Sequence, residues 1–188
     1  MITLRLFIGI NAHPLIKEEI SVLKNTLKQF NADVRWESPA KLHMTLRFLG
    51  STNPALLPEI VSVLESVCTS CPPLRIRYSG TGCFPDRRRP RALWVGIKED
   101  SGELVKLQKA ITHGVGTLGF ESDDKEFHPH VTLGRIRSFT NINRLLDKWE
   151  STTFESQPTV VTHVDVFKSE LHSEGSSYTV LNSIPLRG

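Results

Sequence analysis

The sequence predicts a mixed fold of strands and helices, arranged as two similar lobes in one chain. Segments with the two-residue repeat of a strand alternate with segments that have the apolar spacing of a helix. The sequence His-x-Thr-Leu occurs twice, at His43 and at His130. No low-complexity linker separates the two runs that contain these copies. We therefore expect a single domain over 1–188, built by internal duplication.

The first lobe is predicted to begin with a strand at 2–10 and a helix that starts at Pro14, since proline is favoured in the first turn. A short strand at 34–36 leads to the first His-x-Thr strand, 42–49, and Asn53 caps a second helix. The apolar residues of the two helices recur on one helical face each: Ile16, Ile20, Leu23, Leu27 and Phe30, then Leu57, Ile60, Val61, Leu64 and Val67.

The second lobe repeats this plan. A third helix is indicated by Leu104, Leu107, Ile111, Val115 and Leu118, and a short fourth helix is predicted at 141–149. Strands are expected at 74–78, 92–97, 129–136, 159–167 and 178–184. The first two and the last two of these strands are expected to form hairpins.

The His-x-Thr spacing makes sense only on strands. Residues two apart point to the same side of a strand but diverge on a helix. His43 and Thr45 should therefore share one face, as should His130 and Thr132. The alternate face of the first copy is apolar: Leu42, Met44, Leu46 and Phe48. A pseudo-two-fold axis would bring the two histidines together across a cleft.

Two imidazoles suit paired proton transfer at neutral pH, with one ring neutral and the other charged. Threonine hydroxyls beside them can hydrogen bond to phosphate oxygens. This combination favours phosphodiester hydrolysis without a metal. A zinc site is the competing interpretation, but the strands offer threonine where a third ligand is needed. A nucleic-acid-binding module without turnover is the alternative from another class.

The remaining composition is that of a globular protein. Apolar residues make up 39% of the chain and charged residues 23%, which excludes disordered and collagen-like classes. With no apolar run of bilayer length and no secretory signal at Met1, a cytoplasmic protein is expected. Cys68 and Cys71 could form a redox or metal pair, although free thiols are the favoured interpretation.

One loop concentrates positive charge: Arg87, Arg88, Arg89 and Arg91. Such a loop attracts a polyanion such as an RNA backbone. A solvated surface loop explains the same pattern equally well.

Several motifs together resemble a known family: Arg5 to Gly9, Leu42 to Gly50, Gly82 to Pro85, Arg89 to Trp94, Gly119-Phe120, and Phe127 to Arg135. They are similar to those of the 2H phosphoesterase superfamily and, within it, of the bacterial and archaeal RNA 2′,3′-cyclic phosphodiesterases, historically called 2′-5′ RNA ligases. The resemblance implies an α+β, bilobal 2H phosphoesterase-like fold. In that fold two antiparallel sheets, related by a pseudo-two-fold axis, line a central cleft with helices outside.

The resemblance also implies an activity. An RNA or oligonucleotide with a terminal 2′,3′-cyclic phosphate would be opened to a 2′-phosphate without metal or cofactor, with reversible 2′-5′ ligation in vitro. His43 would act as the general acid on the departing 3′ oxygen, and His130 as the general base on water. Thr45 and Thr132 would hold the phosphate. We expect no membrane partner and a monomer.

The role of the arginines is open at this point. Arg135 matches an arginine that neutralises phosphate in the family, yet strict alternation from His130 puts it on the opposite face unless a bulge at Gly134 re-aims it. Arg47 shares the His43 face by alternation and ranks second.

The aromatic residues and a third histidine have two interpretations each. Phe84 and Trp94 could stack on a base, although core packing fits them equally well. Phe48 is expected in the core. His128 is expected to be a structural or rim residue.

Overall fold

The computed structural model describes residues 3–121, 126–173 and 175–188. The strands are β1 (Leu4–Asn11), β2 (Val34–Trp36), β3 (His43–Thr52), β4 (Leu74–Phe84), β5 (Ala92–Lys98), β6 (His130–Ile136), β7 (Thr159–Val161), β8 (His163–His172) and β9 (Gly175–Pro185). The helices are α1 (Pro14–Lys28), α2 (Leu57–Thr69), α3 (Glu103–Gly116) and α4 (Ile142–Glu150). The predicted α+β class is confirmed. Ile2, the first residue of the first predicted strand, lies outside the described residues.

The described strands form one antiparallel sheet in the order β7-β4-β5-β6-β3-β1-β8-β9, and β2 pairs with β6 beside this path. β3 and β6 meet in the middle through a single pair, Met44 opposite Val131. This junction divides the sheet into two halves. We call β3-β1-β8-β9 the β1 half, and β6-β5-β4-β7 together with β2 the β5 half.

The two halves of the sheet have the same strand order and the same antiparallel pairing. From the junction outwards, β3 is followed by β1 and β8, and β6 is followed by β5 and β4, with antiparallel pairing throughout. The two sheets that were predicted to line a cleft are therefore continuous with each other at one residue pair. This symmetry supports the proposal of an internal duplication.

The helices pack on both halves and share one hydrophobic core. α2 contacts α3, β8 and β9, and α3 also contacts β3, so this pair lies on the β1 half. α4 contacts β4 and α1. One contiguous cluster of buried apolar residues spans both halves, from Ile8 of β1 to Leu93 of β5. The sheet therefore has one face against this core and an opposite face that is free to carry a site.

Local signals from the sequence explain most element boundaries. Pro14 begins α1, and the His13 side chain accepts a hydrogen bond from the Leu15 backbone N–H at 3.3 Å. Asn53 caps a 3₁₀ turn, Pro54–Leu56, and α2 begins directly after it. The closing hairpin forms, but the single strand predicted at 159–167 is wrong, because this segment is divided into β7, which pairs with β4, and β8. The hairpin is also longer than predicted, since β8 extends to His172 and β9 begins at Gly175.

The cysteine pair is structural. Cys68 and Cys71 are buried free thiols at the end of α2. Burial raises the pKa of Cys68 to about 11, so its thiolate is scarce near neutral pH. The favoured interpretation, free thiols, is confirmed.

Candidate active site

The two His-x-Thr strands present their functional side chains together at the β3–β6 junction. Met44 and Val131, which pair there, each follow a histidine directly, so equivalent positions of the two copies face each other. Both are buried against the core, and their neighbours in sequence therefore point to the opposite face. We call this the site face. Four half-buried side chains share it: His43, Thr45, His130 and Thr132.

The junction brings the flanking residues of the two copies near each other. His43 and Thr45 lie on either side of Met44, and His130 and Thr132 on either side of Val131. The charge of His130 acts on His43, as expected for two imidazoles that share one site. The two imidazoles and two hydroxyls thus surround one small volume over the junction.

Each imidazole is anchored to the backbone in the same way. Nδ1 of His43 lies 2.6 Å from the Lys41 carbonyl oxygen, and Nδ1 of His130 lies 2.6 Å from the His128 carbonyl oxygen. A carbonyl oxygen can only accept, so both Nδ1 atoms carry a proton and donate it. Nε2 of each ring is left as the atom that exchanges protons.

Local structure before each strand positions these carbonyl groups. A 3₁₀ turn, Pro39–Lys41, precedes β3 and ends with the carbonyl that holds His43. Before β6, Pro129 keeps the backbone of His128 extended. The Pro129 carbonyl oxygen accepts a hydrogen bond from the Ile97 backbone N–H at 2.9 Å. His128 therefore acts through its backbone, in agreement with the structural role expected for it.

Aromatic rings of the β1 half enclose His43. Its ring centroid lies 4.8 Å from that of Phe7, 5.6 Å from Phe167 and 5.0 Å from Tyr178. Phe7 and Phe167 are stacked on neighbouring strands at 4.7 Å. Sequence reasoning missed this wall, because each aromatic residue sits in a strand whose partner strands were not known.

The β5 half encloses His130 in a similar way. The ring of Phe84 lies 4.9 Å from that of His130, and the ring of Trp94 lies 4.7 Å from that of His128. Trp94 covers Gly82, where an added Cβ would come within 2.2 Å of the indole. Phe84 and Trp94 therefore form a wall of the site, and neither belongs to the main core cluster.

Burial lowers the pKa of both catalytic candidates. For His43, desolvation is the main cause, and the nearby charges of His130 and Arg135 lower the pKa further. For His130, desolvation is again the main cause, with contributions from His128 and Arg135. The hydrogen bond from Nδ1 to the backbone opposes the shift in each case. In the free protein the neutral imidazole is therefore favoured at both positions near neutral pH.

A β-bulge in β6 turns Arg135 towards the site. The register between β6 and β5 shifts by one residue between Thr132 and Gly134, which leaves Leu133 as the extra residue. The bulge that was named as the condition for Arg135 to reach the site is therefore present, at Leu133 next to Gly134. The Arg135 side chain is 52% exposed, and its charge acts on both site histidines, so it lies on their face of the sheet.

An equivalent bulge in β3 has the opposite effect on Arg47. Leu46 is the extra residue, so Arg47 lies opposite Ile8, which belongs to the core. Arg47 is 7% exposed, and its guanidinium donates to the carbonyl of Glu121. The expectation that Arg47 shares the face of His43 is wrong, because it assumed unbroken alternation.

The same bulge corrects the position of Phe48. This residue was expected in the core, but it is 61% exposed, and its ring lies 5.9 Å from that of Phe7. Phe48 and Phe7 are opposite each other in the ladder and both lie on the site face. Because the bulge adds one residue to the strand, the side chains after it lie on the opposite face from the one that strict alternation predicts.

Comparisons with known proteins identify the family. A family model described as the 2′-5′ RNA ligase superfamily matches residues 16–172. The chain belongs to this superfamily. It is 33% identical over 193 residues to the RNA 2′,3′-cyclic phosphodiesterase of Aquifex aeolicus, with 100% of both chains covered. It is 32% identical over 152 residues to the protein of the same name from Archaeoglobus fulgidus, covering 80% of this chain and 84% of that one.

Solved structures share the fold. A crystal structure of a Thermus thermophilus protein matches with a TM-score of 0.82 and 25% identity over 98% of each chain. The structure of Escherichia coli LigT complexed with 3′-AMP matches with a TM-score of 0.79 and 21% identity over 100% of each chain. As a member of the 2′-5′ RNA ligase superfamily with phosphodiesterase relatives, the chain is an enzyme of the hydrolase class.

The four arginines of the loop between β4 and β5 have two different environments. Arg87 bridges to α4, where its guanidinium contacts Asp147 at 2.5 Å and also Glu150. Asp86 accepts from the backbone N–H groups of Arg88 and Arg89. Those two arginines and Arg91 are exposed. Arg87 thus anchors the loop to α4. Arg88, Arg89 and Arg91 are the arginines of the loop that remain predicted to bind RNA.

Two further observations concern the described residues alone. Across 3–121, 126–173 and 175–188, no three His, Cys, Asp or Glu side chains gather in a group that could hold a metal ion. None of the helices in these segments combines the length and apolar character needed to cross a membrane.

Proposed function

We propose that this enzyme hydrolyses the terminal 2′,3′-cyclic phosphate of RNA to a 2′-phosphate, using His43 and His130 as acid and base. Relatives that carry this activity in their names are about 30% identical to it. The observation that carries the proposal is the pair of imidazoles on one face, each anchored through Nδ1 to a backbone carbonyl. That anchor leaves both Nε2 atoms available for proton transfer.

The proposed reaction is a single displacement at phosphorus. Nε2 of neutral His130 takes a proton from water, and the water oxygen bonds to phosphorus. The bond between phosphorus and O3′ breaks, and O3′ takes a proton from Nε2 of charged His43. The products are a 2′-phosphate monoester and a free 3′-hydroxyl. Proton exchange with solvent returns both histidines to their starting states.

The starting states need one charged and one neutral imidazole, although burial favours the neutral form of both. The anionic substrate supplies the missing stabilisation, because a bound phosphate next to His43 raises the pKa of that imidazole. Substrate binding would therefore charge the acid only when there is a leaving group to protonate.

Charge on the phosphate is stabilised by neighbouring groups of both halves. Thr45 and Thr132 lie beside the histidines and would donate hydroxyl hydrogen bonds to the non-bridging oxygens. Arg135, whose charge acts on both imidazoles, would neutralise the anion. The aromatic walls limit water access, which strengthens these interactions.

The same groups can support 2′-5′ ligation in vitro. A 5′-hydroxyl of a second RNA would replace water, His130 would take its proton, and His43 would again protonate O3′. Water at high concentration favours hydrolysis. The expected partner is thus an RNA end, and the expected protein is a cytoplasmic monomer.

Product analysis tests the proposal. The purified protein is incubated with EDTA and a short RNA ending in a 2′,3′-cyclic phosphate, and ³¹P NMR distinguishes the 2′- from the 3′-monophosphate. We expect the 2′-phosphate, full activity with EDTA, and none in a His43→Ala/His130→Ala control. RNA binding without turnover would favour a non-catalytic binding module. Activity lost with EDTA and restored by a divalent ion would contradict metal independence.

A further inference from the structure

A carboxylate lies beside the arginine that would neutralise the reacting phosphate. Oε1 of Glu37 is 3.8 Å from Nε of Arg135, and the Glu37 side chain is 14% exposed, against 52% for Arg135. We infer that Glu37 is a positioning residue, which holds the Arg135 guanidinium in the orientation that meets the non-bridging oxygens. This inference rests on the proposed function and adds a residue that acts through Arg135 alone.

The pairing of β2 with β6 puts Glu37 on the site face. Arg35 lies directly opposite Arg135, whereas the next residue, Trp36, packs against the core. Glu37 follows Trp36, so alternation returns it to the face of Arg135. Burial and then the charge of Glu37 raise the pKa of Tyr178, one of the rings that enclose the first site histidine. The carboxylate is therefore next to the site from both sides.

Both polar groups of the Glu37 backbone are held by hydrogen bonds. Its N–H donates to the carbonyl of Leu133, the bulge residue of β6, at 2.8 Å. Its carbonyl accepts from Nζ of Lys24 at 2.5 Å. Lys24 is only 5% exposed, and a buried ammonium group is costly unless it is hydrogen-bonded. The bulge that turns Arg135 towards the site is thus tied to the residue that contacts its side chain.

The geometry of the ion pair suits a positioning role. A half-exposed arginine side chain has several rotamers, and that freedom is lost when it binds phosphate. Among the described residues, Glu37 is the carboxylate within ion-pair distance of Arg135. It approaches Nε, the guanidinium nitrogen closest to the side-chain stem. The two terminal nitrogens are then left to donate to the phosphate, while the carboxylate limits the rotamers of the stem.

The charge of Glu37 predicts which kinetic constant depends on it. A carboxylate repels an incoming phosphate, so its removal should not weaken binding of the substrate in the ground state. Its loss should instead disturb the orientation of Arg135, and a displacement of about 1 Å can cost about 10²-fold in rate. Removing Glu37 should therefore lower kcat and leave KM nearly unchanged.

A double-mutant cycle tests whether Glu37 acts through Arg135. Wild type, Glu37→Gln, Arg135→Gln and the double variant are compared in kcat and KM on a short RNA ending in a 2′,3′-cyclic phosphate. Glu37→Gln should lower kcat roughly 5- to 30-fold and change KM by less than about twofold. In the Arg135→Gln background the same substitution should change kcat by less than about twofold, because the group that it positions is gone. Glu37→Asp, which keeps the charge on a shorter side chain, should fall between wild type and Glu37→Gln.

Glu155→Gln is the matched control, because Glu155 forms an ion pair with Arg77 of β4 at 3.6 Å, and neither residue belongs to the site. It should keep the kcat and KM of the wild type. Urea unfolding of each variant checks that it is folded. If Glu37→Gln does not fold, Glu37→Asp decides: a lowered kcat supports the inference, and a wild-type kcat or a failure to fold overturns it.

Three results on folded variants would also overturn the inference. A wild-type kcat in Glu37→Gln would show that Arg135 needs no carboxylate to hold it. Equal losses of kcat in the presence and absence of Arg135 would make Glu37 a structural residue. A raised KM with unchanged kcat would place Glu37 against the substrate itself. If the wild-type enzyme does not open the cyclic phosphate, the proposed function fails, and this result is seen before any variant is compared.

Discussion

The two His-x-Thr copies share a backbone plan but differ in the side chains that follow it. Each copy has a bulge at its leucine, Leu46 in β3 and Leu133 in β6. After the bulge, the next residue faces the core and the one after it faces the site. The core-facing positions are Arg47 and Gly134, and the site-facing positions are Phe48 and Arg135.

This difference shows how a symmetric frame can give an asymmetric site. The histidines, threonines and backbone anchors are equivalent, so each half could in principle donate or accept a proton. The second position after the bulge breaks the symmetry, because Arg135 presents a cation in one half and Phe48 presents an exposed aromatic ring in the other. We expect the substrate to be oriented by this pair, with its charge towards the β5 half.

The largest expected effect comes from the equivalent residues. His43→Ala and His130→Ala should each lower kcat/KM by roughly 10²- to 10⁴-fold, because each removes a proton transfer. The double variant should lose much less than the product of the two, since the residues act as a unit. His113→Ala, at an exposed position on α3, is the control. If either single variant kept full activity, the equivalence of the two copies would not extend to function.

Arg135 should show the asymmetry directly. Arg135→Gln should lower kcat/KM by roughly 10²-fold, the scale seen when a group that stabilises transition-state charge is removed. Arg47→Gln, at the arginine of the other copy, should instead act mainly on stability, because Arg47 is buried and bonded to the Glu121 carbonyl. Kinetics and urea unfolding on both variants separate these effects. The reverse pattern would contradict the assigned faces.

Gly134 tests the packing that accompanies the bulge. A Cβ there would lie 2.7 Å from Cγ1 of Val34 and 3.0 Å from the Trp36 ring, so Gly134→Ala should lower the free energy of unfolding by about 1–3 kcal/mol. Gly116→Ala is the matched control, because nothing lies within 4 Å of the added Cβ. It should be neutral or slightly stabilising. Equal urea midpoints for the two variants would show that β2 does not pack tightly on β6.

The smallest effect concerns pH. The pKa of each site histidine is lowered, first by burial and also by Arg135, so kcat/KM should be bell-shaped with both limbs below the ordinary imidazole value of about 6.5. Activity rises with pH as His130 loses its proton and falls as His43 loses its own. Removing the charge in Arg135→Gln should move both limbs to higher pH. If the limbs of the pH profile stay in place or move to lower pH, the Arg135 charge does not lower the pKa of both histidines.

The sequence predicted what depends on local patterns. Strand alternation and the repeated motif located both histidines and both threonines. A bulge at Gly134 was named as the condition for Arg135 to reach the site, and one occurs at the neighbouring Leu133. The helices begin and end close to where prolines and apolar spacing placed them. These features are encoded by neighbours in sequence.

What depends on pairing between distant strands could not be predicted. The bulge at Leu46 has no glycine beside it, so alternation was extended through it, and Arg47 and Phe48 were assigned to the wrong faces. The wall around His43 combines β1, β8 and β9, and Arg35 meets Arg135 only through the β2–β6 register. None of these contacts leaves a periodic signal in the sequence.

The central claim is that His43 and His130 act as a pair with different roles, and a change of leaving group tests it most directly. A substrate with an activated aryl ester needs no proton on its leaving oxygen, so it should partly rescue His43→Ala and leave His130→Ala impaired. The measurement is kcat/KM for both variants on the activated and the natural type of ester. Rescue of His130→Ala instead would reverse the roles, and equal behaviour of the two variants on both esters would contradict the division into acid and base.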